Sequence, residues 1–255
     1  MTEPLYSRDA YARSTEAIVI GLRPASDVGR EHADLVFDRT VFYPGGGGQP
    51  SDSGLIRAAG RQPRTIAGAH RAGADIVHEL EPGDEPPEIG ERVEVVIDWP
   101  RRYRLMRTHT ALHALCGVVW RDYGALVTGG NMEPGSGRMD FEFDRMSGDL
   151  VDEIERRVNV ELALGRDVHV NVLPRDEAFA ISDLIRTKVN LLPEGIPEVR
   201  TIEIVGLDLQ ADGGTHVANT LEVGAIRVTG YESKGRTNKR IRIELIDPPA
   251  ANPAG

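Results

Sequence analysis

Residues 15 to about 98 show no helical periodicity, and this limits the folds open to the chain. From residue 15 to residue 98, apolar residues occur in short, β-branched runs separated by Gly, Pro and Asp. Such runs are typical of short strands, and many short strands without helices favour a small β-barrel. We expect strands at residues 15–22, 33–43 with a turn near 38, 54–57, 64–67, 75–80 and 92–97.

The pattern changes at Pro100. From there to Tyr123 apolar residues recur at helical spacing, Pro100 suits a first helical turn, and Gly124 suits a helix end. The remainder mixes both element types. We expect a hairpin at 126–143, a helix after Ser147 or Asp149 that ends at Gly165, a short helix at 177–184, and strands at 168–172, 200–204, 225–231 and 240–246.

These patterns predict an α+β protein with two domains. Residues 1–97 would form a small β-barrel domain with a Gly-rich loop at 44–54. Residues 98–247 would form an α+β domain with helices over an antiparallel sheet. The Pro/Ala-rich residues 248–255 have little to bury, and we expect a flexible tail there.

Composition indicates an ordinary globular chain, with 40% hydrophobic and 27% charged residues. No apolar run is long enough to span a bilayer, and the polar N-terminus lacks a signal-peptide pattern, so we expect a cytoplasmic protein without a membrane partner. The single cysteine, Cys116, excludes an internal disulfide. We expect it to pack as a small hydrophobic residue.

The charge is uneven. A net charge of −10 argues against a general nucleic-acid binder. Two basic stretches, which could hold a phosphate backbone, stand out nevertheless. They contain Arg101, Arg102, Arg104 and Arg107, and Lys234, Arg236, Lys239, Arg240 and Arg242. Two solvated element ends are the alternative, and for basic runs in general that is the commoner outcome.

Three histidines and one aspartate have the spacing of a metal site. His109 and His113 lie one helical turn apart, so they share one helix face. His216 lies in a Gly-rich segment four residues after Asp212. Imidazole and carboxylate are ligands that zinc prefers. A zinc-protease site is excluded because Thr110 stands where the general base, a glutamate, would be. Two helical histidines alone are more often structural residues.

Several segments resemble one family, in the same order along the chain. Residues 107–115 (RTHTALHAL) and 208–224 (DLQADGGTHVANTLEVG) resemble the editing domain of alanyl-tRNA synthetases and free-standing alanyl-tRNA editing proteins of the AlaX type. Threonyl-tRNA synthetases carry a related domain. Residues 42–54 (FYPGGGGQPSDSG) resemble the Gly-rich motif of the alanyl branch.

The resemblance implies a β-barrel joined to an α+β editing domain that binds zinc. Its ligands would be His109, His113 and His216, while Asp212 occupies the position of the family's cysteine. The fourth ligand is therefore open, since it could be an aspartate oxygen or a water. The implied activity is hydrolysis of the ester that joins a wrong amino acid, chiefly serine and sometimes glycine, to alanine tRNA. Zinc would either activate a water or only orient the substrate.

The resemblance also suggests roles for other residues. The metal, Thr108 and Thr215 are candidates for binding the hydroxyl of serine, and backbone amides of the Gly-rich motif would approach the ester or terminal ribose. That motif contributes Gly45, Gly46, Gly47, Gly48 and Gln49. The expected tRNA contacts are Arg101, Arg102, Arg104, Lys234, Arg236 and Lys239. Two alternatives stay open: a tRNA-binding module with weak catalysis, and a metal hydrolase that acts on another small ester.

Overall fold

The computed structural model describes residues 1–24, 33–82, 86–188, 192 and 195–247. The chain divides into two compact units, Met1–Tyr103 and Arg104–Gly255. The predicted flexible tail, 248–255, lies outside the described residues. The predicted domain boundary between residues 97 and 98 stays a prediction.

The strands of the first unit form a closed barrel and one short separate pair. They are β1 (Glu3–Pro4), β2 (Ser14–Pro24), β3 (Ala33–Phe37), β4 (Arg39–Thr40), β5 (Gly54–Ala58), β6 (Arg64–Ala72), β7 (Asp75–Leu80) and β8 (Arg92–Ile97). The barrel order is β2-β3-β7-β6-β5-β8, and β8 pairs again with β2. Short β1 and β4 pair with each other outside it.

Alternation along the strands builds the barrel core. On β8, Val93, Val95 and Ile97 are buried, while the residues between them are more exposed. Side chains alternate between the two faces of a strand, so every second side chain of β8 points into the barrel. Gly54 allows β5 to lie against β8, since a Cβ at this position would overlap the carbonyl oxygen of Val96.

The second unit combines helices with two antiparallel sheets. A long helix, α1, runs from Trp99 to Tyr123 and so begins in the first unit. The other elements are β9 (Val127–Glu133), β10 (Ser136–Glu142), α2 (Gly148–Ala163), β11 (Val168–Pro174), α3 (Arg175–Ala180), β12 (Glu198–Ile204), β13 (Asp208–Ala211), β14 (Ala225–Ser233) and β15 (Asn238–Ile246). One sheet has the order β14-β15-β10-β9 and the other β11-β12-β13. The expected mixture of helices and antiparallel sheets is confirmed.

The two long helices match their sequence signals. The helix α1 ends at Tyr123, directly before Gly124. The helix α2 is capped by Ser147, whose hydroxyl accepts a hydrogen bond from the Leu150 amide at 3.3 Å. Its stripe of Val151, Ile154, Val158 and Leu162 is buried as expected. Among the described residues, no helix is both long and apolar enough to cross a membrane.

In the second unit two elements differ from the prediction, and in the first unit the short strand β1 was not predicted. The short helix expected at 177–184 is α3, Arg175–Ala180, which begins directly after Pro174. The strand β13 was missed, because four residues that begin with a buried aspartate carry no clear alternation. This strand leads into the segment that contains Asp212 and His216, so the missed element is the one that positions half of the candidate site.

Candidate metal centre

Four side chains from two distant segments meet in the second unit. His109 and His113 come from α1, and Asp212 and His216 come from the loop after β13. One potential ligand atom from each of the four lies within 4.8 Å of the others. The four residues therefore form a single cluster.

Local backbone geometry brings the loop residues to the helix. The strand β13 pairs with β12, and the Asp212 amide donates to the Arg200 carbonyl at 3.1 Å, which extends this pairing. The Asp212 carboxylate then accepts a hydrogen bond from the Gly214 amide at 2.6 Å. This is a local turn held by an aspartate side chain. The turn reverses the chain, so that the ring of His216 lies beside the carboxylate of Asp212.

The three imidazole rings pack closely. Ring centroids of His109 and His216 are 4.3 Å apart, and those of His113 and His216 are 4.7 Å apart. The Asp212 carboxylate lies 3.2 Å from Nε2 of His216 and 3.6 Å from Nε2 of His109. All three histidines are buried. Buried polar groups at this density are costly unless they are paired with one another, with neighbouring polar groups or with a bound ion.

Two further residues fix the histidines from behind. Nδ1 of His216 lies 3.1 Å from the Thr110 hydroxyl, which also accepts a hydrogen bond from the Val217 amide at 3.3 Å. Nδ1 of His113 lies 3.1 Å from a carboxylate oxygen of Asp208. These contacts leave Nε2 of each ring as the ligand atom. Sequence reasoning missed both roles. The position of Thr110 one residue after His109 was the only signal for it.

Burial and the charges of neighbouring side chains together set the pKa values of the cluster. Burial lowers the pKa of His109 to about 4 and holds the pKa of His216 well below its ordinary value, since a charged imidazole loses its hydration there. For His113 burial acts in the same direction, but the hydrogen bond and charge of Asp208 outweigh it and raise the pKa. Burial alone would raise the pKa of Asp212, whereas the neighbouring histidines keep that pKa well below its usual range.

The donor set fits a metal ion. Metal ligands are neutral imidazoles and ionised carboxylates, and the lowered pKa values of His109, His216 and Asp212 favour those forms. The pKa of His113 is raised, so metal binding at this ring would release a proton. Three imidazoles with one carboxylate are compatible with zinc. Cys116 does not belong to the cluster of candidate ligands; it is buried, and burial raises the pKa of its thiol, so it packs as the predicted small hydrophobic residue.

Comparison with known proteins decides the family. The chain is 35% identical to the alanyl-tRNA editing protein AlaX-M of Methanosarcina mazei over 252 residues, which cover 97% of this chain and 98% of that protein. It is also 35% identical to AlaX-M of Saccharolobus solfataricus, over 94% of this chain and 98% of that protein. The chain belongs to the alanyl-tRNA editing family.

Further matches relate this family member to synthetases. Residues 199–242 match the threonyl and alanyl tRNA synthetase second additional domain, and residues 8–101 match the class II (A) tRNA synthetases. The chain is 35% identical to the alanine–tRNA ligase of Pyrobaculum aerophilum over 91% of its own length, but over only 25% of the ligase. The match therefore covers only part of that ligase.

The two candidate threonines have different surroundings in this family member. The Thr108 hydroxyl donates to the Arg104 carbonyl at 2.8 Å and accepts from the Gly135 amide at 2.9 Å. It therefore fastens α1 to the β9–β10 turn. Thr215 is fully buried and directly precedes His216. A role for either in binding serine stays a prediction.

The Gly-rich loop of the first unit has a backbone that favours glycine. Gly45, Gly46, Gly47 and Gly48 all have positive φ, at 80°, 136°, 57° and 88°. Reciprocal hydrogen bonds of 3.1 and 2.9 Å join the backbones of Gly46 and Gln49, and the Tyr43 hydroxyl donates to the Gly46 carbonyl at 2.9 Å. Gln49 is buried. The predicted contact of this loop with substrate stays a prediction.

The structure corrects two of the expected tRNA contacts. Arg102 is fully buried, where it pairs with Asp52 and donates to the Val41 carbonyl at 2.6 Å. Lys239 is also buried, and its ammonium donates to the Gly235 and Arg236 carbonyls at 2.7 and 2.8 Å. Both cations are withdrawn from solvent by their own partners, so neither faces a phosphate.

The other four basic residues are accessible. Arg104, Lys234 and Arg236 are exposed, and Arg101 is partly exposed. Arg104 pairs loosely with Asp247 at 3.4 Å, and Lys234 with Glu232 at 3.2 Å. Exposed pairs of this kind are weak and exchange readily for another anion. Contact between these residues and tRNA stays a prediction.

Proposed function

We propose that this chain hydrolyses the ester of alanine tRNA that carries the wrong amino acid, namely serine, with glycine as a second substrate, and that it acts in trans with zinc as its metal. One observation carries the proposal: in a member of the alanyl-tRNA editing family, four side chains converge within ligand distance of one another. No other cluster of three or more histidine, cysteine or acidic side chains close enough to hold a metal was found among the described residues.

The three histidines would hold the zinc, and Asp212 would supply the fourth ligand or accept a hydrogen bond from a water in that place. Zinc bound in such a site polarises a carbonyl oxygen and lowers the pKa of a bound water to roughly 7. The surrounding protein contributes fixed geometry, because Thr110 and Asp208 hold two of the rings and the Gly214 amide holds the Asp212 carboxylate.

Selection of serine over alanine requires a partner for one hydroxyl. An apolar pocket discriminates poorly against an added hydroxyl, whereas a site that hydrogen-bonds it rejects a substrate that lacks it. The candidates for this role are the metal and two threonines: Thr215, which is buried beside His216, and Thr108, whose hydroxyl donates to the Arg104 carbonyl at 2.8 Å.

Two surfaces would hold the tRNA. In the first unit, the Gly-rich loop at 45–49 would offer backbone amides to the terminal ribose, and Arg101 would contact a phosphate. In the second unit, Arg104, Lys234 and Arg236 would contact further phosphates. We propose the domain boundaries that the sequence predicts, a barrel domain at 1–97 and an editing domain at 98–247.

Zinc content and deacylation of seryl-tRNA(Ala) and glycyl-tRNA(Ala), measured side by side, test the proposal. The purified chain is expected to hold about one zinc and to release serine, whereas His109→Ala and His216→Ala lose both properties because each removes a ligand. His70→Ala is the matched control, since His70 lies in the barrel, partly exposed, beside Glu79.

The alternatives give different results in the same assays. A zinc-loaded chain that binds tRNA without turnover is the binding module with weak catalysis. Hydrolysis of small esters without hydrolysis of charged tRNA is the other metal hydrolase. If the chain holds no zinc and still deacylates fully, the proposed metal site is wrong and the proposed deacylase activity stands.

A further inference from the structure

A second carboxylate, Asp208, lies behind the metal centre and is not among the four candidate ligands. Its side chain is fully buried, and one of its oxygens, Oδ2, lies 3.1 Å from Nδ1 of His113. The same oxygen accepts a hydrogen bond from the amide of Gln210 at 2.7 Å. A buried carboxylate is costly unless it is paired, so its presence here needs a reason.

Gly117 permits this contact. It lies in α1, one turn after His113, where glycine is about 1 kcal/mol less favourable than alanine. A Cβ at this position would lie 2.9 Å from Cγ of Leu207 and 3.0 Å from Cβ of Asp208. The glycine therefore lets the start of β13 approach α1 closely enough for the carboxylate to reach the ring of His113.

A cation lies on the far side of the carboxylate. Nη1 of Arg186 is 3.8 Å from Oδ1 of Asp208, and the guanidinium lies 4.9 Å from the ring centroid of Trp120. Trp120 follows His113 by seven residues, so it lies on the same face of α1. Oδ1 and Nη1 are both buried with no hydrogen-bond partner found in the described part of the chain. The guanidinium of Arg186 and the carboxylate of Asp208 therefore compensate each other's charge.

We infer that Asp208, admitted by Gly117 and neutralised from behind by Arg186, is a positioning residue that orients His113 towards the metal. This inference rests on the metal site of the proposed function. A carboxylate that accepts a hydrogen bond from Nδ1–H of a ligand histidine fixes the tautomer and orientation of the ring, and loss of such a partner typically costs 10–100-fold in metal affinity. His216 has only a neutral hydroxyl, from Thr110, in the same place.

The test is zinc affinity, measured by competition with a chromophoric chelator, which needs no deacylation. Asp208→Asn is expected to weaken zinc binding by about 10–100-fold. Gly117→Ala is expected to weaken it too, because the added methyl displaces the carboxylate without removing it. Asp152→Asn, on the exposed surface of α2, is the matched control and should bind zinc as the unaltered chain does.

A double-mutant cycle separates positioning from a general structural role. If Asp208 acts through His113, Asp208→Asn causes no further loss of affinity in a His113→Cys background, which keeps a zinc ligand but has no Nδ1 for the carboxylate to hold. The inference would be overturned if Asp208→Asn lowered the zinc affinity equally with and without the change at His113, or if it left the affinity of the otherwise unaltered chain unchanged. If Asp208→Asn does not fold, Asp208→Glu replaces it, since it keeps the charge opposite Arg186 and moves the carboxylate.

The same experiment distinguishes the two proposals. An unaltered chain that binds no zinc removes the metal site of the proposed function and this inference with it. An unaltered chain that binds zinc, with Asp208→Asn binding equally well, overturns this inference and leaves the proposed function standing.

Discussion

Single histidines in this protein take opposite roles according to what surrounds them. His78 is fully buried in the barrel, where its ring nitrogens lie 2.8 Å from the Thr40 hydroxyl and 3.2 Å from the Leu35 carbonyl. Both ring nitrogens of His78 therefore have hydrogen-bond partners within the barrel, and its role is structural. His109 and His216 are equally buried, but they face another titratable group, Asp212. Burial of a histidine is common to both environments, and only the convergence of several marks a site.

His78 makes stability sensitive to acid. Burial lowers its pKa to about 4, from an unfolded value of 6.5. The unfolded chain therefore binds the proton more tightly, and the stabilisation present above pH 6.5 is lost as the pH falls towards 4. The loss is on the order of 3 kcal/mol. We expect His78→Gln to flatten this part of the curve of unfolding free energy against pH. His70→Gln, the control, should keep the slope, and an unchanged slope in His78→Gln would refute the assignment.

At the scale of elements, the loop that supplies Asp212 and His216 is held at its start by β13 and at its end by a short capped turn. The Asn219 side chain accepts from the Leu221 amide, and the Glu222 carboxylate accepts from the Asn219 amide. This capping box ends the loop three residues after His216. The loop therefore presents its ligands from two fixed points, which reduces the entropy that would be lost on metal binding.

The cap of α2 offers a measurable element-scale effect. The Ser147 hydroxyl satisfies one amide at the start of the helix. We expect Ser147→Ala to lower the free energy of unfolding by about 1 kcal/mol, since that amide loses its partner. Ser147→Asp should retain the stability, because aspartate caps equally well. Chemical denaturation checks both, and an equal loss in the two variants would show that the cap is not the cause.

At the scale of the whole molecule, the metal should link the site to the stability of the chain. A ligand that binds only the folded state adds free energy according to its concentration over Kd, about 2.7 kcal/mol at one hundred times Kd. We expect a chelator to lower the melting temperature and zinc to restore it. His216→Ala should melt at the same temperature with and without chelator, while a chelator effect in that variant would place the metal elsewhere.

The sequence by itself predicted most of the element types and named all four candidate ligands, with the role of Asp212 left open. Strand alternation, the helical period after Pro100 and the His-x-x-x-His spacing are local patterns, and a local pattern is readable without coordinates. Family-like motifs added His216, with Asp212 in the place of a cysteine. The sequence also misassigned Arg102 and Lys239, because a basic residue looks the same in the chain whether it is solvated or buried against its own partners.

Only the tertiary structure decided what depends on distant segments. The contact between Asp208 and His113 joins residues 95 positions apart, and the pairing of Arg102 with Asp52 spans 50. Neither leaves a periodic trace, since each is fixed by how closely two elements pack. Gly117, a glycine inside a helix, is the one local feature that marks the contact between Asp208 and His113. Its role is clear only from the structure, where β13 packs closely against it. Sequence patterns thus specified which groups the chain carries, and packing specified which of them meet.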